Sequence, residues 1–391
     1  MLIGIVGKPN VGKSTFFKAL TLSEVEIANY PFTTIKPNEG IAYVKVKCVE
    51  KEFGIKCKPN YGYCINGWRF LPIKVIDVAG LVPKAHLGRG LGNKFLDDLR
   101  QADVLLHIVD ASGTVDEEGK PTINYNPIND IKWLEEEIEA WFINLVMKDW
   151  ENLKRKAQHI EKPLSIIYEK LSGLKIKEIH IKETISKLNL DEKFWLWDKD
   201  ELIKFIKELR KISKPIVIIA NKADMPQSEK NIEEMKKQYE NIFVCSAEIE
   251  LALKEAAKNG IINYIPGESS FEIIKKDIDE KKLNALKVIE NYLEKYKTTG
   301  VQDAIDYSVF NLLKQIVVYP VENENKLSDK QGNILPDAFL MESGSKVIDL
   351  AYKIHEDIGK NFIAAIDVKT KKRLARDYEL KHNDIIKILT H

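Results

Sequence analysis

The sequence predicts an α/β fold with a mostly parallel sheet, a helical insertion and a small C-terminal module of the β-grasp kind. Short apolar runs without alternation recur in residues 1–250, which is typical of parallel strands that helices cover on both faces. Residues 113–214 separate two of these runs and carry helical periodicity, although a single crossover helix needs far fewer residues. Residues 314–391 combine several strand patterns with one helix pattern, as small α+β modules do.

Each of the five predicted strands ends at a polar or glycine-bearing signal. Because ligands of open parallel sheets bind at the carboxyl ends of the strands, these signals indicate one binding edge. The strands are predicted at residues 2–7 (LIGIVG), 73–80 (IKVIDVAG), 104–112 (VLLHIVDAS), 215–224 (PIVIIANKAD) and 242–247 (IFVCSA).

The segment after the third strand predicts a helical subdomain. From Asn129 to Lys156, apolar side chains recur at steps of three and four, which indicates an amphipathic helix; further helices are expected around residues 164–190 and 199–212. Tryptophans in this region could form a stacking surface for bases, but aromatic side chains at helical spacing more often belong to a core. We therefore assign five of them to the core: Trp133, Trp141, Trp150, Trp195 and Trp197.

The C-terminal third predicts two helices, at residues 280–296 and 301–313, followed by the small α+β module. Within that module, Ser345 is the expected N-cap of a helix and Gly359 its expected end. The predicted strands lie in KQIVVYPVE, PDAFLM, NFIAAIDV and DIIKIL, with a turn-rich hairpin in NENKLSDKQGN. These elements divide the chain into an α/β domain (1–128 and 213–275), a helical insertion (129–212), a helical connector (276–313) and the C-terminal module (314–391).

The composition excludes a disordered chain and a membrane-embedded one. Of 391 residues, 44% are hydrophobic and 30% are charged, and no apolar run reaches the ~18 residues that a membrane span needs. The N-terminus enters an apolar strand without a secretory pattern, so we expect a cytoplasmic monomer with no membrane partner. The near balance of 60 basic and 59 acidic residues leaves RNA binding to local patches.

Three of the four cysteines lie close together in the sequence. Cys48, Cys57 and Cys64 are spaced by nine and seven residues, whereas structural zinc sites usually show close C-x-x-C pairs. With no fourth ligand in register, we expect thiols of a loop or core and no metal.

The stretch GKPNVGKS matches the P-loop pattern between a predicted strand and a predicted helix. Backbone N–H groups at the helix start would surround phosphates, Lys13 would reach the β and γ oxygens, and Ser14 would bind Mg²⁺. The predicted contact residues are Gly7, Lys8, Pro9, Asn10, Val11, Gly12, Lys13, Ser14 and Thr15.

Two further motifs extend the predicted site. In DVAG, Asp77 would hold Mg²⁺ directly or through water, and the amide of Gly80 would approach the γ-phosphate. In NKAD, Asp224 would accept hydrogen bonds from guanine, which adenine cannot donate, so GTP is favoured over ATP. Asn221 is expected to meet the other guanine edge and Lys222 to cover the base. Backbone groups of Ser246 and Ala247 are expected to complete the pocket.

The stretches NYPFTTIKPNEG, DVAGLVPKAHLGRGLGNKFLDDLRQADVLLHIVDAS and TGVQDAIDYSVFNLL together resemble signatures of the Obg-related translation-associated GTPases, especially the YchF-like branch. The C-terminal module resembles a TGS domain. The resemblance implies a P-loop GTPase domain and association with the ribosome or RNA. It also implies a further Mg²⁺ ligand, for which Thr34 is the first candidate and its neighbour Thr33 the second. It also implies that the large insertion is the helical domain of that branch.

The resemblance further implies an unusual way of positioning the attacking water. Leu81 occupies the position where many GTPases have a glutamine. Asn10 corresponds to an asparagine that ligates K⁺ beside the phosphates in several such GTPases, and a cation there can neutralise developing charge. We expect slow basal hydrolysis of GTP to GDP that K⁺ or a ribosomal partner accelerates. His86 is an alternative water-orienting group.

Three alternatives stay open at the level of sequence. A metabolic P-loop enzyme such as a small-molecule kinase would transfer phosphate to a metabolite, although it would need no NKAD. Some members of the resembled branch prefer ATP. An RNA-binding adaptor with a vestigial GTPase would use local basic patches, of which residues 369–376 (KTKKRLAR) are a candidate, although a solvated loop is an equal interpretation of them.

Overall fold

The structure, a computed structural model, describes residues 1–23, 38–78 and 98–391. The described strands are β1 Leu2–Val6, β2 Glu39–Lys47, β3 Tyr63–Ile65, β4 Trp68–Asp77, β5 Val104–Asp110, β6 Ile216–Asn221, β7 Ile242–Val244, β8 Ile262–Tyr264, β9 Phe271–Ile273, β10 Gln315–Pro320, β11 Phe339–Glu342, β12 Phe362–Asp367, β13 Arg373–Leu374 and β14 Asp384–Thr390.

The described α-helices are α1 Lys13–Thr21, α2 Glu50–Phe53, α3 Ile128–Met147, α4 Trp150–Ala157, α5 Leu164–Leu171, α6 Glu178–Leu188, α7 Lys199–Ser213, α8 Ser228–Gln238, α9 Ala247–Lys258, α10 Glu280–Tyr296, α11 Val301–Asp306, α12 Val347–Ile354 and α13 Glu356–Lys360. A π-helical segment, Tyr307–Leu312, continues α11.

The large sheet contains all five predicted strands. Its order is β2-β4-β1-β5-β6-β7, and β4, β1, β5, β6 and β7 run parallel. The prediction of a mostly parallel sheet is therefore confirmed. Two strands of this sheet were not predicted: β2 and β3 both pair with β4 in antiparallel register. They extend the sheet at the edge beyond β4 and carry two of the clustered cysteines on or next to them.

The helical insertion covers one face of this sheet. Helices α3 to α7 share a core with sheet side chains such as Leu2 and Leu105. Trp141, Trp150 and Trp197 are buried in it, and Trp133 and Trp195 pack against it, so the assignment of the tryptophans to the core is confirmed. The single long helix predicted from Asn129 is instead two helices, α3 and α4, which meet at residues 148–149.

The C-terminal module forms a five-stranded sheet in the order β11-β10-β14-β12-β13. Only the β10 and β14 pair is parallel, which is compatible with the predicted β-grasp arrangement. The predicted helix is two short helices, α12 and α13. Ser345 does not cap α12, because the N-cap is Lys346, whose backbone N–H donates to the Asp349 carboxylate. Gly359 is the next-to-last residue of α13, so the helical segment ends one residue later than predicted.

The other face of the large sheet is shared with the C-terminal module. One continuous core joins Ile3 and Phe16 to Tyr319 and Leu335, and α11 packs within it. The predicted domain boundaries themselves stay a prediction, since a common core is compatible with more than one division. In the described parts of the chain, no helix is both long and apolar enough to cross a membrane.

Candidate functional site

The predicted phosphate loop connects β1 to α1, which begins at Lys13. Gly12 adopts φ 91°, a left-handed conformation that glycine takes without strain, and a Cβ there would collide with the amide of Asn221. The N-terminal amides of α1 therefore face the end of the strand, where an anion is favoured. Gly7 and Val11 are buried, Gly12, Lys13 and Thr15 are half-buried, and Pro9, Asn10 and Ser14 are exposed.

Lys13 and Asp77 meet at the carboxyl ends of β1 and β4. The ammonium of Lys13 donates to the carbonyl of Val78 at 2.9 Å and lies 3.5 Å from Asp77 Oδ1. This Oδ1 is buried, and no hydrogen bond engages it among the described residues. A carboxylate oxygen and the exposed hydroxyl of Ser14 form an all-oxygen donor set of the kind that Mg²⁺ prefers. The residues present thus fit the predicted cation.

Asn221 fastens three loops together. Its Nδ2 donates to the carbonyl of Val11 at 2.9 Å, and its Oδ1 accepts from the Ala247 backbone N–H at 3.0 Å. The residue is only 2% exposed. Asn221 thereby positions the phosphate loop relative to the NKAD and CSA segments. Its Nδ2 keeps a second hydrogen, so the expected contact with a guanine edge stays a prediction.

Asp224 is exposed at the same edge of the sheet. The hydroxyl of Ser246 donates to Asp224 Oδ1 at 2.6 Å, and the same hydroxyl accepts from Ile249 N at 3.2 Å as the N-cap of α9. Lys222 adopts φ 61° and forms an ion pair with Asp110 at 3.0 Å. The carboxylate of Asp224 is thereby held in a fixed orientation with its second oxygen available to a ligand.

Thr299 and Gly300, which lie in the predicted helical connector, contact the segment that carries Ser246. Ser246 N donates to the carbonyl of Thr299, and the Thr299 hydroxyl donates to buried Glu250 at 2.6 Å. Gly300 adopts φ 76°, and any Cβ there would strike the backbone of Val244. Thr299 and Gly300 begin the motif TGVQD at residues 299–303, which is the sequence feature that could have placed this segment beside the pocket.

The side chain of Lys8 points away from the phosphate loop. Its ammonium pairs with Asp130 of α3 at 2.7 Å, donates to the carbonyl of Val115 at 2.9 Å and lies 3.9 Å from the centre of the Tyr125 ring. Only the backbone of Lys8 can therefore contribute to phosphate binding. Asn10 donates through Nδ2 to the carbonyl of Gly119 at 2.9 Å. The phosphate loop is thus tied on one side to the segment that leads into the helical insertion.

Several predicted residues lie outside the described residues. They are Thr33, Thr34, Gly80, Leu81 and His86. The predictions for the magnesium shell, the γ-phosphate contact and the orientation of water at these positions stay predictions.

Three family models match the chain. One described as "Obg-like GTPase YGR210-like, G4 motif-containing domain" covers residues 219–323. A second, described as "50S ribosome-binding GTPase", covers residues 2–170, and a third, "TGS domain", covers residues 331–390. Together they match the phosphate loop, the NKAD segment and the C-terminal module in the order in which the structure presents them.

Individual relatives match over the full length. A protein of Methanocaldococcus jannaschii described as an uncharacterized GTP-binding protein is 55% identical over 100% of this chain and 99% of its own. A ribosome-binding ATPase YchF of Buchnera aphidicola is 29% identical over 99% of this chain and 93% of its own. The crystal structure of a GTP-binding protein from Pyrococcus horikoshii OT3 covers 100% of both chains with 40% identity and a TM-score of 0.78. The chain therefore belongs to the Obg-like, YchF-related family of P-loop nucleotide hydrolases that carry a C-terminal TGS domain.

Proposed function

We propose that this protein is a guanine-nucleotide switch that binds GTP and GDP and hydrolyses GTP at a slow basal rate. The observation that carries the proposal is the Asp224 carboxylate, which is exposed and oriented by the Ser246 hydroxyl at 2.6 Å. Its free oxygen can accept from the ring N–H and the 2-amino group of guanine. Adenine offers neither donor and would leave the carboxylate unpaired, which costs affinity.

The names of the relatives do not agree on whether the bound base is guanine or adenine. The Methanocaldococcus protein is called GTP-binding and the Buchnera protein an ATPase. The NKAD sequence and the orientation of Asp224 by the Ser246 hydroxyl support a preference for GTP over ATP in this chain. An ATP-preferring site is the alternative, and it predicts binding of ADP in preference to GDP.

Hydrolysis requires an attack of water on the γ-phosphorus with departure of GDP. Lys13 would exchange its contacts with Val78 and Asp77 for the β and γ oxygens of the nucleotide. Ser14, Asp77 and the predicted ligand Thr34 would hold Mg²⁺, which when bound neutralises charge on those phosphates. We expect the Gly80 amide to contact the γ-phosphate. Leu81 cannot orient water, so the basal rate should be slow.

A potassium ion beside the phosphates is the proposed accelerator. The Nδ2 of Asn10 is bonded to the Gly119 carbonyl, which turns the oxygen of the amide away from that contact and leaves it available to a cation. We expect faster turnover in K⁺ than in Na⁺ at equal ionic strength, and the difference should disappear in an Asn10→Ala variant. Equal and fast turnover in Na⁺ without a partner would reject this step.

The test of the guanine assignment is the substitution Asp224→Asn. The asparagine amide donates where the carboxylate accepted, so GDP affinity should fall by about 100-fold or more while affinity for xanthosine diphosphate rises. Isothermal titration calorimetry with GDP, XDP and ADP measures all three. Asp200→Asn, an exposed position on α7, is the matched control and should bind GDP normally. Tight binding of ADP and none of GDP by the unaltered protein would overturn the proposal.

The proposed partner is the ribosome. We propose that the protein is a monomer and that it binds the ribosome in the cytoplasm. The support is the TGS domain together with the printed names of a family model and of the YchF relatives. Cosedimentation with ribosomes under GDP, a GTP analogue and no nucleotide tests this. Association that is unaffected by nucleotide would argue against a switch, and transfer of phosphate to a metabolite would favour the kinase alternative.

A further inference from the structure

The three clustered cysteines converge with Glu50, which no sequence pattern indicated as a ligand. Cys48 directly follows β2, Glu50 begins α2, Cys57 lies in the next loop and Cys64 lies on β3. One ligand atom from each of these four residues lies within 4.8 Å of every other. The antiparallel pairing of β2 and β3 with β4, which the sequence did not predict, is what brings them together.

The spacing of these atoms fits a tetrahedral metal site. Cys48 Sγ and Cys57 Sγ are 3.8 Å apart, and Cys64 Sγ is 3.3 Å from Glu50 Oε1. Bond lengths of about 2.3 Å to sulfur and 2.0 Å to oxygen place two sulfurs about 3.8 Å apart and a sulfur and an oxygen about 3.5 Å apart around a tetrahedral Zn²⁺. All four cysteines of the chain are free thiols.

Neighbouring groups orient the cluster as they do around known metal sites. Glu50 Oε2 accepts from the Cys57 backbone N–H at 2.8 Å, which directs Oε1 toward Cys64. The Tyr319 hydroxyl is buried, and no hydrogen bond engages it in the described part of the chain. Cys48 is a neighbour of this hydroxyl, so the hydroxyl can donate a hydrogen bond to a Cys48 thiolate. Such outer contacts fix the ligands of metal sites.

The electrostatics of the cluster call for a cation. Glu50 is only 9% exposed, and within the described ranges no lysine, arginine or histidine forms an ion pair with it. A buried carboxylate beside thiolates is costly unless it is paired or binds a metal.

We propose that Cys48, Glu50, Cys57 and Cys64 form a structural Zn²⁺ site. Three thiolates select a borderline-soft cation over Mg²⁺ or Ca²⁺, and iron–sulfur clusters are usually held by four cysteines, of which this cluster has three. A cleft with a volume of about 430 Å³, lined in part by Glu50, Cys57 and Cys64, gives the ion a route to the site. This reverses the expectation from spacing alone, which lacked the fourth ligand.

The site would brace the contact between the nucleotide-binding part and the TGS domain. The loop between Cys57 and Cys64 reaches the C-terminal module through its backbone: Lys58 N donates to the Ile334 carbonyl and Asn60 N to the Pro336 carbonyl, both at 2.8 Å. A metal that joins this loop to β2 and β3 fixes its position. Because metal binding contributes to folding free energy, removal of zinc should also loosen the docked module.

Elemental analysis of the full chain, purified under reducing conditions and dialysed against zinc, tests the proposal without any nucleotide. We expect about one zinc per chain, the stoichiometry of a closed structural site. Cys57→Ser and Cys64→Ser should lower zinc affinity by tenfold or more. Cys245→Ser removes a buried cysteine that lies outside the cluster and should keep the full zinc content.

A second measurement uses the unaltered protein, so it does not depend on the folding of variants. Titration of the thiols with a mercurial in the presence of a chromogenic chelator should release zinc as the three clustered cysteines react. Substitution with Co²⁺ should produce the intense visible absorption of a tetrahedral thiolate site. Absence of zinc after reconstitution, full zinc content in both variants, iron in place of zinc, or a Cys48–Cys57 disulfide in the reduced preparation would each overturn the assignment.

Discussion

Asn221 and Asp224 lie three residues apart, yet their side chains face different partners. Asn221 is buried and bonded at both ends to protein backbone, whereas Asp224 is exposed and has one oxygen free. The NKAD sequence predicts that both residues belong to the site, but it does not distinguish a tie between loops from a contact to the base. That distinction depends on Val11 and Ala247, which only the folded chain brings to Asn221.

The substitution Asn221→Ala should therefore weaken all nucleotides alike. It leaves the Val11 carbonyl and the Ala247 N–H without partners, at a cost of about 1–3 kcal/mol, and it lets the phosphate loop shift. We expect comparable losses of GDP and XDP affinity by calorimetry, with a lowered Tm. Asn259→Ala, on an exposed residue, is the control. A change of base preference in Asn221→Ala would contradict the assignment as a positioning residue.

Asp306 makes stability depend on pH. Burial raises its pKa from 3.8 to about 8, although its carboxyl accepts from Lys45 N at 2.8 Å and from Gln302. The unfolded chain loses this proton near pH 4 and the folded chain keeps it to about pH 8. The folded state therefore binds more protons in that window, and stability falls as pH rises through it.

We expect the free energy of unfolding to fall by roughly 3–5 kcal/mol between pH 4.5 and pH 8 because of this group. In Asp306→Asn the side chain can still accept from Lys45 N, and that part of the pH dependence should be absent. Urea denaturation at a series of pH values measures the effect. Parallel curves for the two proteins would show that Asp306 is ionised in the fold.

Among the elements, the parallel strands were predictable and the antiparallel strands were not. Continuous hydrophobicity in residues such as 104–110 reports burial on both faces. Strand β2 carries polar residues at its start and end and β3 has only three residues, so neither pattern is distinct from a loop. Their pairing with β4 also decides where Glu50 lies. For that reason the proposed zinc ligand set could not be predicted from the sequence.

The start of α3 is coupled to the phosphate loop by a buried ion pair. Lys8 and Asp130 are 3% and 4% exposed, and Tyr125 donates to the same carboxylate at 2.9 Å. Burial raises the pKa of Asp130, partly opposed by Lys8. Lys8 matches the P-loop pattern as one of its variable positions, and no sequence pattern predicted that its partner would be Asp130.

The substitution Asp130→Asn should cost roughly 3–5 kcal/mol, because a buried ammonium loses its counter-charge. Nucleotide affinity should fall as well, because loss of this ion pair would let the phosphate loop shift. The double change Lys8→Met with Asp130→Leu should recover most of the stability. Glu118→Gln, which breaks an exposed pair with Lys120 in the same segment, should have no measurable effect. Chemical denaturation compares all four proteins.

Across the whole molecule, Arg69 joins β4 to the TGS domain. It is 1% exposed and donates to the carbonyls of Leu335 and Pro336 at 3.0 and 2.9 Å. We expect Arg69→Met to cost about 2–4 kcal/mol through the unpaired carbonyls and to open residues 327–337 to protease. Asn60→Ala, which removes an exposed hydrogen bond to Asp337, should leave the cleavage pattern unchanged. Equal protease resistance in Arg69→Met would show that other contacts hold the module.

The basic stretch at residues 369–376 ends at the surface of the TGS domain. Lys371, Lys372 and Arg373 are exposed, while Lys369 is engaged by Glu52 at 2.7 Å. Alanine at the three exposed positions should weaken ribosome or RNA binding and reduce its salt slope by roughly one unit per lost phosphate contact. Cosedimentation over a salt series measures both. Unchanged binding would leave this stretch as a solvated turn.

Residues from both ends of the sequence contribute to one apolar interior, in which Ile3 and Phe16 share a cluster with Tyr319 and Leu335. A fragment that ends before residue 314 would expose the apolar side chains that normally pack against Tyr319 and Leu335. We expect this fragment to aggregate on expression. The isolated C-terminal module would keep its own second core, around Val318 and Leu350, but would expose the face that carries Tyr319 and Leu335. Because the nucleotide-binding part and the C-terminal module share the core that contains Ile3 and Tyr319, a conformational change in one would reach the other through packed side chains and not through a flexible linker.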